Sequence, residues 1–401
     1  MRTLAVLVFA AVALAGASAF AAEAGAAAPD EAAATEPSGP VGPIGPIGPT
    51  LADGAGTPVP SKLTVRLAGQ LFAGWRGTYT DADDDNEFEV DRAEVGLGVA
   101  WGQRAGLALR SEAVRSATPG SVLGVDGDSL VLRAKHAFGW GRAQRGRLSG
   151  EVRLGLVPEP WLEAVEAGYD LRGLAPLLAE RARLYDSADL GLVVRGALGS
   201  QATVALSALN GEGRNQLEQN DGKNLGVVAG VRAARLRLWG GEALLWAHGG
   251  ARLGGTGAGN ARAHRVAGAL TMLSPRLAAG AELVHATGVD GAADRQALVV
   301  GGWARVAALP WAGAMLRYDR SDVDTEADDA VVHSFSAGLY ADLVERRAGQ
   351  ELRVFAAWQR ERFGANAGAL AGAGVVSDSD RIVIELAASV VALAHWLGEE
   401  P

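Results

Sequence analysis

Basic side chains recur at alternating positions along most of the chain, a pattern that suits anion binding. A guanidinium group keeps its charge, and its planar fork matches the oxygens of carboxylates and phosphates. Fewer acidic side chains share these segments, although the whole chain has a net charge of -9. The basic set is Arg66, Arg76, Arg110, Arg133, Lys135, Arg153, Arg195, Arg232, Arg265, Arg276, Arg317 and Arg353. The acidic set is Glu112, Glu151, Glu282, Asp342 and Glu385.

Hydrolytic chemistry is the second possibility that the side chains raise. The chain has 6 His, and Ser207 or Ser334 could act as a nucleophile. However, the sequence contains no G-x-S-x-G, no H-E-x-x-H and no phosphate-binding loop. The absence of Cys excludes thiolate metal sites and Cys nucleophiles. We therefore predict that the protein is not an enzyme and carries no metal or cofactor, and its acidic balance argues against nucleic acid as a partner.

The elements that position these side chains are amphipathic strands. In the segment Leu63 to Leu71, apolar side chains alternate with Thr64, Arg66 and Gln70. Such a period of two places one kind of side chain on each face of a β-strand. We predict sixteen strands, at 63-79, 86-102, 104-115, 129-141, 147-157, 185-199, 201-210, 223-236, 237-253, 261-273, 276-288, 295-308, 311-320, 331-344, 350-361 and 379-395.

The length and the connections of these strands favour a membrane barrel. Several are far longer than the roughly 5 to 6 residues that are usual in soluble sheets. Short turns alternate with long polar loops, as in outer-membrane barrels. Trp75, Tyr79, Trp101, Trp140, Trp303, Trp311 and Tyr318 lie towards strand ends and are expected to form an interfacial girdle. The prediction is an all-β transmembrane antiparallel barrel of about sixteen strands; the alternative is a secreted β-sandwich, propeller or solenoid.

If the charged face lines a water-filled lumen, two hypotheses about its selectivity remain open. Rings of Arg and Lys favour anions in a pore. Alternatively, each arginine is neutralised by an acid on a neighbouring strand, as the closeness of Glu151 to Arg153 suggests. The first hypothesis predicts an anion preference, and the second predicts a barely selective pore.

The N-terminal segment has the pattern of an export signal. Arg2 precedes an apolar run, and Ala19-Phe20-Ala21 is a small-x-small cleavage site. We therefore predict a cleaved signal peptide at 1-22, with a non-cleaved membrane anchor as the alternative. Residues 23-60 are rich in Ala, Pro and Gly and include a short Gly-Pro-X run, so they are expected to form a disordered linker. The barrel domain then spans 61-401.

Five motifs in order along the chain resemble the phosphate-selective porin O and P family. They are Phe88 to Gly98, Leu154 to Pro160, Asp189 to Gly196, Leu206 to Gly213 and Asn220 to Asn224. The resemblance implies a sixteen-stranded, trimeric outer-membrane barrel with a constriction loop folded inwards. Asp91 and Glu94 replace two arginines of the family pattern, and Val157 and Glu159 also depart from it. These differences bear on phosphate specificity.

The segment Trp161 to Leu184 is the one stretch with helical character. Leu174, Leu177 and Leu178 recur at spacings of three and four, with Pro176 between them. It follows the fifth strand, where the family has its constriction loop, and Arg172, Arg181 and Arg183 would then face a permeating anion. The alternative is an ordinary surface loop.

These observations together predict an outer-membrane porin for passive diffusion of small anions such as phosphate. The expected partners are outer-membrane lipid, small anionic solutes and two further copies of the chain in a homotrimer. Two alternatives remain: a weakly selective general porin, and a non-conducting barrel that serves as envelope anchor or adhesin.

Overall fold

The computed structural model describes residues 63–80, 84–102, 104–116, 129–214, 220–238, 241–257, 259–289, 291–344, 350–367 and 378–396. The predicted signal peptide (1-22) and the predicted linker (23-60) lie outside these residues. Two short helices, α1 (Pro160–Glu166) and α2 (Leu178–Arg181), lie between the fifth and the sixth strand of the barrel. Within the described ranges, no helix is long and apolar enough to cross a membrane.

Sixteen antiparallel strands close into one barrel, in the order in which they occur along the chain. A separate two-stranded hairpin, β10 (Gly255–Thr256) and β11 (Ala261–Arg262), lies between β9 and β12. The barrel strands are β1 (Leu63–Thr80), β2 (Asp84–Trp101), β3 (Ala105–Ser116), β4 (Ser129–Arg145), β5 (Leu148–Pro158), β6 (Ala188–Leu198), β7 (Ala202–Leu209), β8 (Asn224–Leu238), β9 (Gly241–Leu253), β12 (His264–Leu273), β13 (Leu277–Val289), β14 (Ala292–Leu309), β15 (Ala312–Asp322), β16 (Val331–Asp342), β17 (Gln350–Phe363) and β18 (Ser379–Trp396).

The predicted fold class is confirmed, since all sixteen predicted strands are present and the segment after β5 is partly helical and folded inwards. Two predicted strands begin too early. Residues 185–187 precede β6, and residues 261–263 before β12 include the separate hairpin strand β11. At both places the chain first hydrogen-bonds outside the barrel ladder: Glu159 donates its backbone N–H to Ser187, and Ala263 donates to Gly254.

The alternation of side chains divides the barrel into an apolar outside and a mixed inside. On β1, Leu67 and Leu71 are exposed on the outer face, whereas Ala68, Gln70 and Phe72 are buried on the inner face. The same alternation continues on β15, where Leu316 is exposed between inward-facing neighbours. Since successive side chains in a strand point to opposite faces, this pattern is what a barrel surrounded by lipid requires.

Two tryptophans that were expected in an interfacial girdle lie inside the barrel instead, so that part of the prediction is wrong. Trp140 and Trp303 are buried, and each ring covers a glycine on the neighbouring strand. A Cβ on Gly106 would lie 2.5 Å from the Trp140 ring, and a Cβ on Gly280 would lie 2.3 Å from the Trp303 ring. A ring laid over a glycine fills the gap left by the missing side chain.

Gly280→Ala is expected to destabilise the barrel by about 1–3 kcal/mol, because overpacking forces side chains and backbone apart. The new methyl group would meet both the Trp303 ring and the carbonyl oxygen of Leu270, which would lie 2.8 Å away. The measurement is the midpoint of urea unfolding in detergent micelles, followed by tryptophan fluorescence. Gly139→Ala is the matched control, since its nearest neighbour would be 3.6 Å away; equal midpoints for the two variants would contradict the packing argument.

Candidate functional site

The segment between β5 and β6, residues 159–187 (the inner loop), lies inside the barrel and packs on its wall. Trp161, Val165, Leu171 and Leu177 are completely buried. Helix α1 begins at Pro160, a residue whose fixed φ suits the first turn of a helix. α1 contacts β8 and β9, and α2 contacts β14. The apolar side of the loop therefore covers the wall from β8 to β14.

Hydrogen bonds fix this apolar side to specific wall residues. Trp161 donates its indole N–H to Glu282 on β13 across 2.7 Å. Arg317 on β15 donates to the hydroxyl of Tyr169 and, at 2.5 Å, to the carbonyl oxygen of Pro176. The ring of Tyr169 also stands edge-on to Trp303, with centroids 5.1 Å apart. A buried loop needs such partners, because an unpaired buried polar group costs about 1–3 kcal/mol.

Asp170 holds the far end of the inner loop between two strands. Its carboxylate lies 2.5 Å from Nε of Arg305 on β14 and 3.5 Å from Nη1 of Arg353 on β17. Arg353 also binds Asp342 at 2.7 Å. All of these side chains except Asp342 are buried. The loop is thus fastened at a point far from its covalent ends.

The start of the inner loop is fastened in the same way near its covalent ends. Glu163 on α1 binds Arg153 on β5 at 3.0 Å and Arg195 on β6 at 2.8 Å. Burial opposes ionisation of Glu163, but these two guanidinium groups outweigh it and lower the pKa of the carboxyl. Arg265 on β12 donates to the carbonyl oxygen of Leu184 at 3.0 Å, which fixes the end of the loop.

A second side of the inner loop carries charges and faces β2–β4. This charged edge consists of Glu166, Arg172 and Glu180, and Arg172 binds both carboxylates, at 2.9 Å for Glu166. Burial raises the pKa of Glu180, yet Arg172, Arg92 and Lys135 outweigh it and lower that pKa to about 2. Arg92 on β2 and Lys135 on β4 therefore lie close enough to the charged edge to interact with it electrostatically.

The wall opposite the charged edge is basic. Arg92 on β2, Arg110 on β3 and Lys135 on β4 surround the buried carboxylate of Glu94, at 3.4, 3.0 and 2.7 Å. We call these three cations and Glu94 the basic wall. Next to it, Arg133 binds Glu112 at 2.7 Å. The sequence motif that carries Glu94 thus marks the centre of a charged cluster.

The chain was compared with known protein families, with curated proteins and with solved structures. No protein-family model and no curated protein matches the chain. Among solved structures, the chain is similar to the anion-selective porin from Comamonas acidovorans, with 13% identity and a TM-score of 0.52 over 82% of this chain and 99% of that one. It is also similar to the outer membrane channel DcaP of Acinetobacter baumannii, with 12% identity and a TM-score of 0.50 over 84% of this chain and 100% of that one.

The protein has the fold of an outer-membrane porin. At these identities the likeness establishes the fold alone, and the finer resemblance to the phosphate-selective family rests on the sequence motifs. The two similar structures are a porin and a channel, in agreement with the prediction that the protein is not an enzyme.

The porin fold places the predicted pore-lining residues in four different environments, the first of which is the basic wall with its neighbour, where Arg110, Arg133 and Lys135 lie. Arg153, Arg195, Arg265, Arg317 and Arg353 bind the inner loop, as described above. Arg66 and Arg76 lie on the inner face of β1, and Arg76 binds Glu89 at 2.7 Å and Asp91 at 3.0 Å. Two others lie at the short turns: Arg232 donates to Ser200 at 2.9 Å, and Arg276 is exposed in the turn after β12.

The three predicted arginines of the inner loop also differ. Arg172 is buried in the charged edge. Arg181 reaches the wall, where it binds Asp319 at 3.2 Å and also Glu361. Arg183 is exposed and has a positive φ of 55°. Only Arg183 of the three has no ion pair among the described residues.

Sequence reasoning missed two wall residues above all: Arg92 of the basic wall, and Arg305, which binds Asp170 of the inner loop. Arg92 stands two residues before Glu94 and thus shares its strand face, a signal that was available. Arg305 follows Val299 and Trp303 on the inner face of β14. Because the loop covers this part of the wall, the inner face there is apolar, and alternation alone does not distinguish it from the outer face.

Neither catalysis nor metal binding finds support in the described part of the porin. His333 is exposed and Ser334 is buried, since neighbouring strand residues point to opposite faces. Neither Ser207 nor Ser334 hydrogen-bonds a histidine in the described ranges. No group of three or more His, Asp and Glu that could hold a metal ion occurs there either.

Arg172→Gln is expected to destabilise the porin by about 1–3 kcal/mol at pH 7, because it leaves two half-buried carboxylates without their main partner. The lowered pKa of Glu180, about 2, means that its stabilising effect is complete above its ordinary pKa and is lost as pH falls through about 2. In the variant, burial acts with less opposition and the carboxyl protonates at higher pH.

The penalty of Arg172→Gln should therefore be smaller at pH 3 than at pH 7 when urea midpoints in micelles are compared. The double variant Arg172→Gln with Glu180→Gln should recover part of the stability at pH 7. A penalty that is independent of pH and unaffected by the second substitution would exclude this account.

Proposed function

We propose that the protein is an outer-membrane channel for passive diffusion of small hydrophilic solutes with a modest preference for anions. The observation that carries this proposal is the two-sided packing of the inner loop. Its apolar side covers the wall from β8 to β14, while its charged edge faces the basic wall on β2–β4. Solutes would pass through the space that opens beside Arg172 of the charged edge.

The apolar outer face of the barrel supports a location in a membrane. Leu132, Leu154 and Leu339 are each at least 64% exposed although they lie within strands. Exposed apolar side chains in alternation on every side of a closed barrel are stable only in contact with lipid. By the same anatomy, the short turns lie on the periplasmic side and the long loops on the outside of the cell.

The space next to the charged edge extends towards β1, β17 and β18. A cavity of about 310 Å³ opens to solvent there, and it is bounded by Asp170 and Gly173 of the inner loop. The wall residues around it include Gln70, Phe72, Phe355 and Ser389. Arg172 of the charged edge also borders this opening, which is therefore the proposed entry of the solute path.

The balance of charges supports a modest anion preference over a phosphate filter. At the constriction, Arg92, Arg110, Lys135 and Arg172 face three carboxylates, so cations exceed anions by one. At least eight of the twelve predicted pore-lining cations form ion pairs with carboxylates in the described ranges of the wall or the loop. A cation that is already paired attracts a passing phosphate less strongly than a bare one.

A weakly selective general porin is the second candidate, and Arg76 favours it. Glu89 and Asp91 both bind this single guanidinium group, so carboxylates outnumber cations on that part of the wall. The assembly of three barrels remains a proposal that rests on the family resemblance. The alternative of a non-conducting anchor predicts a closed lumen.

Single-channel recording in planar bilayers tests the proposed function. We expect stepwise conductance, a reversal potential on the anion side under a KCl gradient, and only weak block by added phosphate, because most lumen cations are paired. A reversal potential near zero would favour the general porin, and strong block would favour a phosphate filter. A correctly inserted barrel without any conductance would contradict the channel and support the anchor.

Arg92→Gln is expected to move the reversal potential towards the cation side, because it removes the cation by which the constriction exceeds its carboxylates. Arg92 is a suitable target, since it binds Glu94 more loosely than Lys135 does, at 3.4 against 2.7 Å. Arg145→Gln, an exposed residue at the short-turn end of β4, is the control and should leave the reversal potential unchanged. Equal reversal potentials for the two variants would rule out a selective role for the basic wall.

A further inference from the structure

The outer face of β15–β17 carries basic side chains close to the long loops. Arg320, His333 and Arg362 lie side by side on three adjacent strands, because Arg320 is paired with His333 and His333 with Arg362 in the strand register. We call these three residues the cationic row. His333 and Arg362 are exposed, and Arg320 is half-buried. Their neighbours Asp319, Ser334 and Glu361 face the lumen side of the sheet.

The cationic row has too few acidic partners to balance it. Arg320 binds Asp322 at 3.2 Å, whereas Arg362 has no ion pair within the described ranges. Arg320 and Arg362 flank His333 on alternate strands, two strand spacings or roughly 10 Å apart, so their like charges repel each other. An anion bound across the row would remove this repulsion.

Below the row, towards the middle of the barrel, lies a layer of aromatic side chains. Tyr318 and Trp358 are 45% and 40% exposed, and the Phe335 ring lies 5.6 Å from that of Trp358. Tyr318 shares a hydrogen bond of 2.8 Å with His333, and Trp358 donates to Asp380 at 3.0 Å. Exposed aromatic rings of this kind sit at the depth of lipid headgroups.

The vertical spacing matches a lipid with a charged head. Tyr318 and Arg320 are two residues apart on one strand, which is about 7 Å along the strand. Leu339 and Ile384, which are exposed one register row nearer the middle than Trp358, would contact acyl chains. Arg360, which lies 3.8 Å from Asp380, adds a further guanidinium group beside the aromatic layer.

We propose that this face binds a phosphorylated glycolipid of the outer leaflet, with its phosphate on the cationic row and its acyl chains along β15–β18. Guanidinium groups bind phosphate through paired hydrogen bonds. The two arginines are separated by one strand, so their long side chains can converge on one phosphate group above His333. The inference rests on the proposed outer-membrane location, but not on the selectivity of the lumen.

The test is native mass spectrometry of the full-length protein in detergent micelles, titrated with a diphosphorylated acyl-glucosamine disaccharide. The probes for comparison are the same glycolipid without phosphates and phosphatidylethanolamine. We expect the wild type to retain the phosphorylated glycolipid in preference to both. The double variant Arg320→Gln with Arg362→Gln should weaken that binding about tenfold or more, as the loss of charged hydrogen bonds implies.

The matched control is the double variant Arg104→Gln with Arg145→Gln, which removes two exposed arginines at the short-turn end and should bind like the wild type. Arg362→Glu provides a second variant at an exposed position and should also lose the glycolipid. Binding that is unchanged in both row variants, or equal for the lipid without phosphates, would overturn the proposal. Conductance of every variant is recorded in parallel, so that a failure of lipid binding is distinguished from a failure of the channel.

Discussion

The hydrogen-bonded seam between the first and last barrel strands is the constraint on which the rest of the structure depends. β1 and β18 pair along their whole lengths, from Leu63 opposite Trp396 to Thr80 opposite Ser379. With this seam closed, the strands of the barrel leave no free edge, and the backbone is satisfied within the sheet. The outer face is then free to be largely apolar, and the inner face encloses a space that water or a folded segment must fill.

Part of that enclosed space is filled as in a soluble protein. The inner loop supplies large apolar side chains, including Trp161 and Leu177, and the wall from β8 to β14 supplies small ones such as Ala267 and Ala286. Ion pairs then tie the loop to the wall at its start, through Glu163, and further along, through Asp170 and Arg181. Arginine suits this role because one side chain serves several partners, as Arg317 does with Tyr169, Pro176 and Asp319.

Much of the fold was predictable because it depends on local periodicity. A period of two fixes which residues share a strand face, and turn residues fix where a strand ends, so the sixteen strands follow from short windows of sequence. The inward position of the segment after β5 was also predictable, from its helical pattern and from its place in the resembling family.

The partners across the lumen could not be predicted in this way. Asp170 and Arg353 are 183 residues apart, and no local pattern links them. The inward position of Trp140 and Trp303 depends on glycines of neighbouring strands, which become their neighbours only through the sheet register. The pairing of most lumen cations with acids is likewise a property of the closed barrel. The pair of Glu151 and Arg153 is the exception, because the two residues are close together on one strand.

The two-sided packing of the inner loop also has a consequence for how such a barrel can diverge. Inward residues from β8 to β14 are covered by the loop and do not contact a solute. A substitution there changes the stability of the barrel through its effect on packing, as in any hydrophobic core. Residues on β2–β4 belong to the charged cluster around Glu94, where a single substitution changes the balance of cations and carboxylates. New permeation properties can therefore arise from substitutions in one sector of the wall, while the other sector preserves the architecture that holds the opening in place.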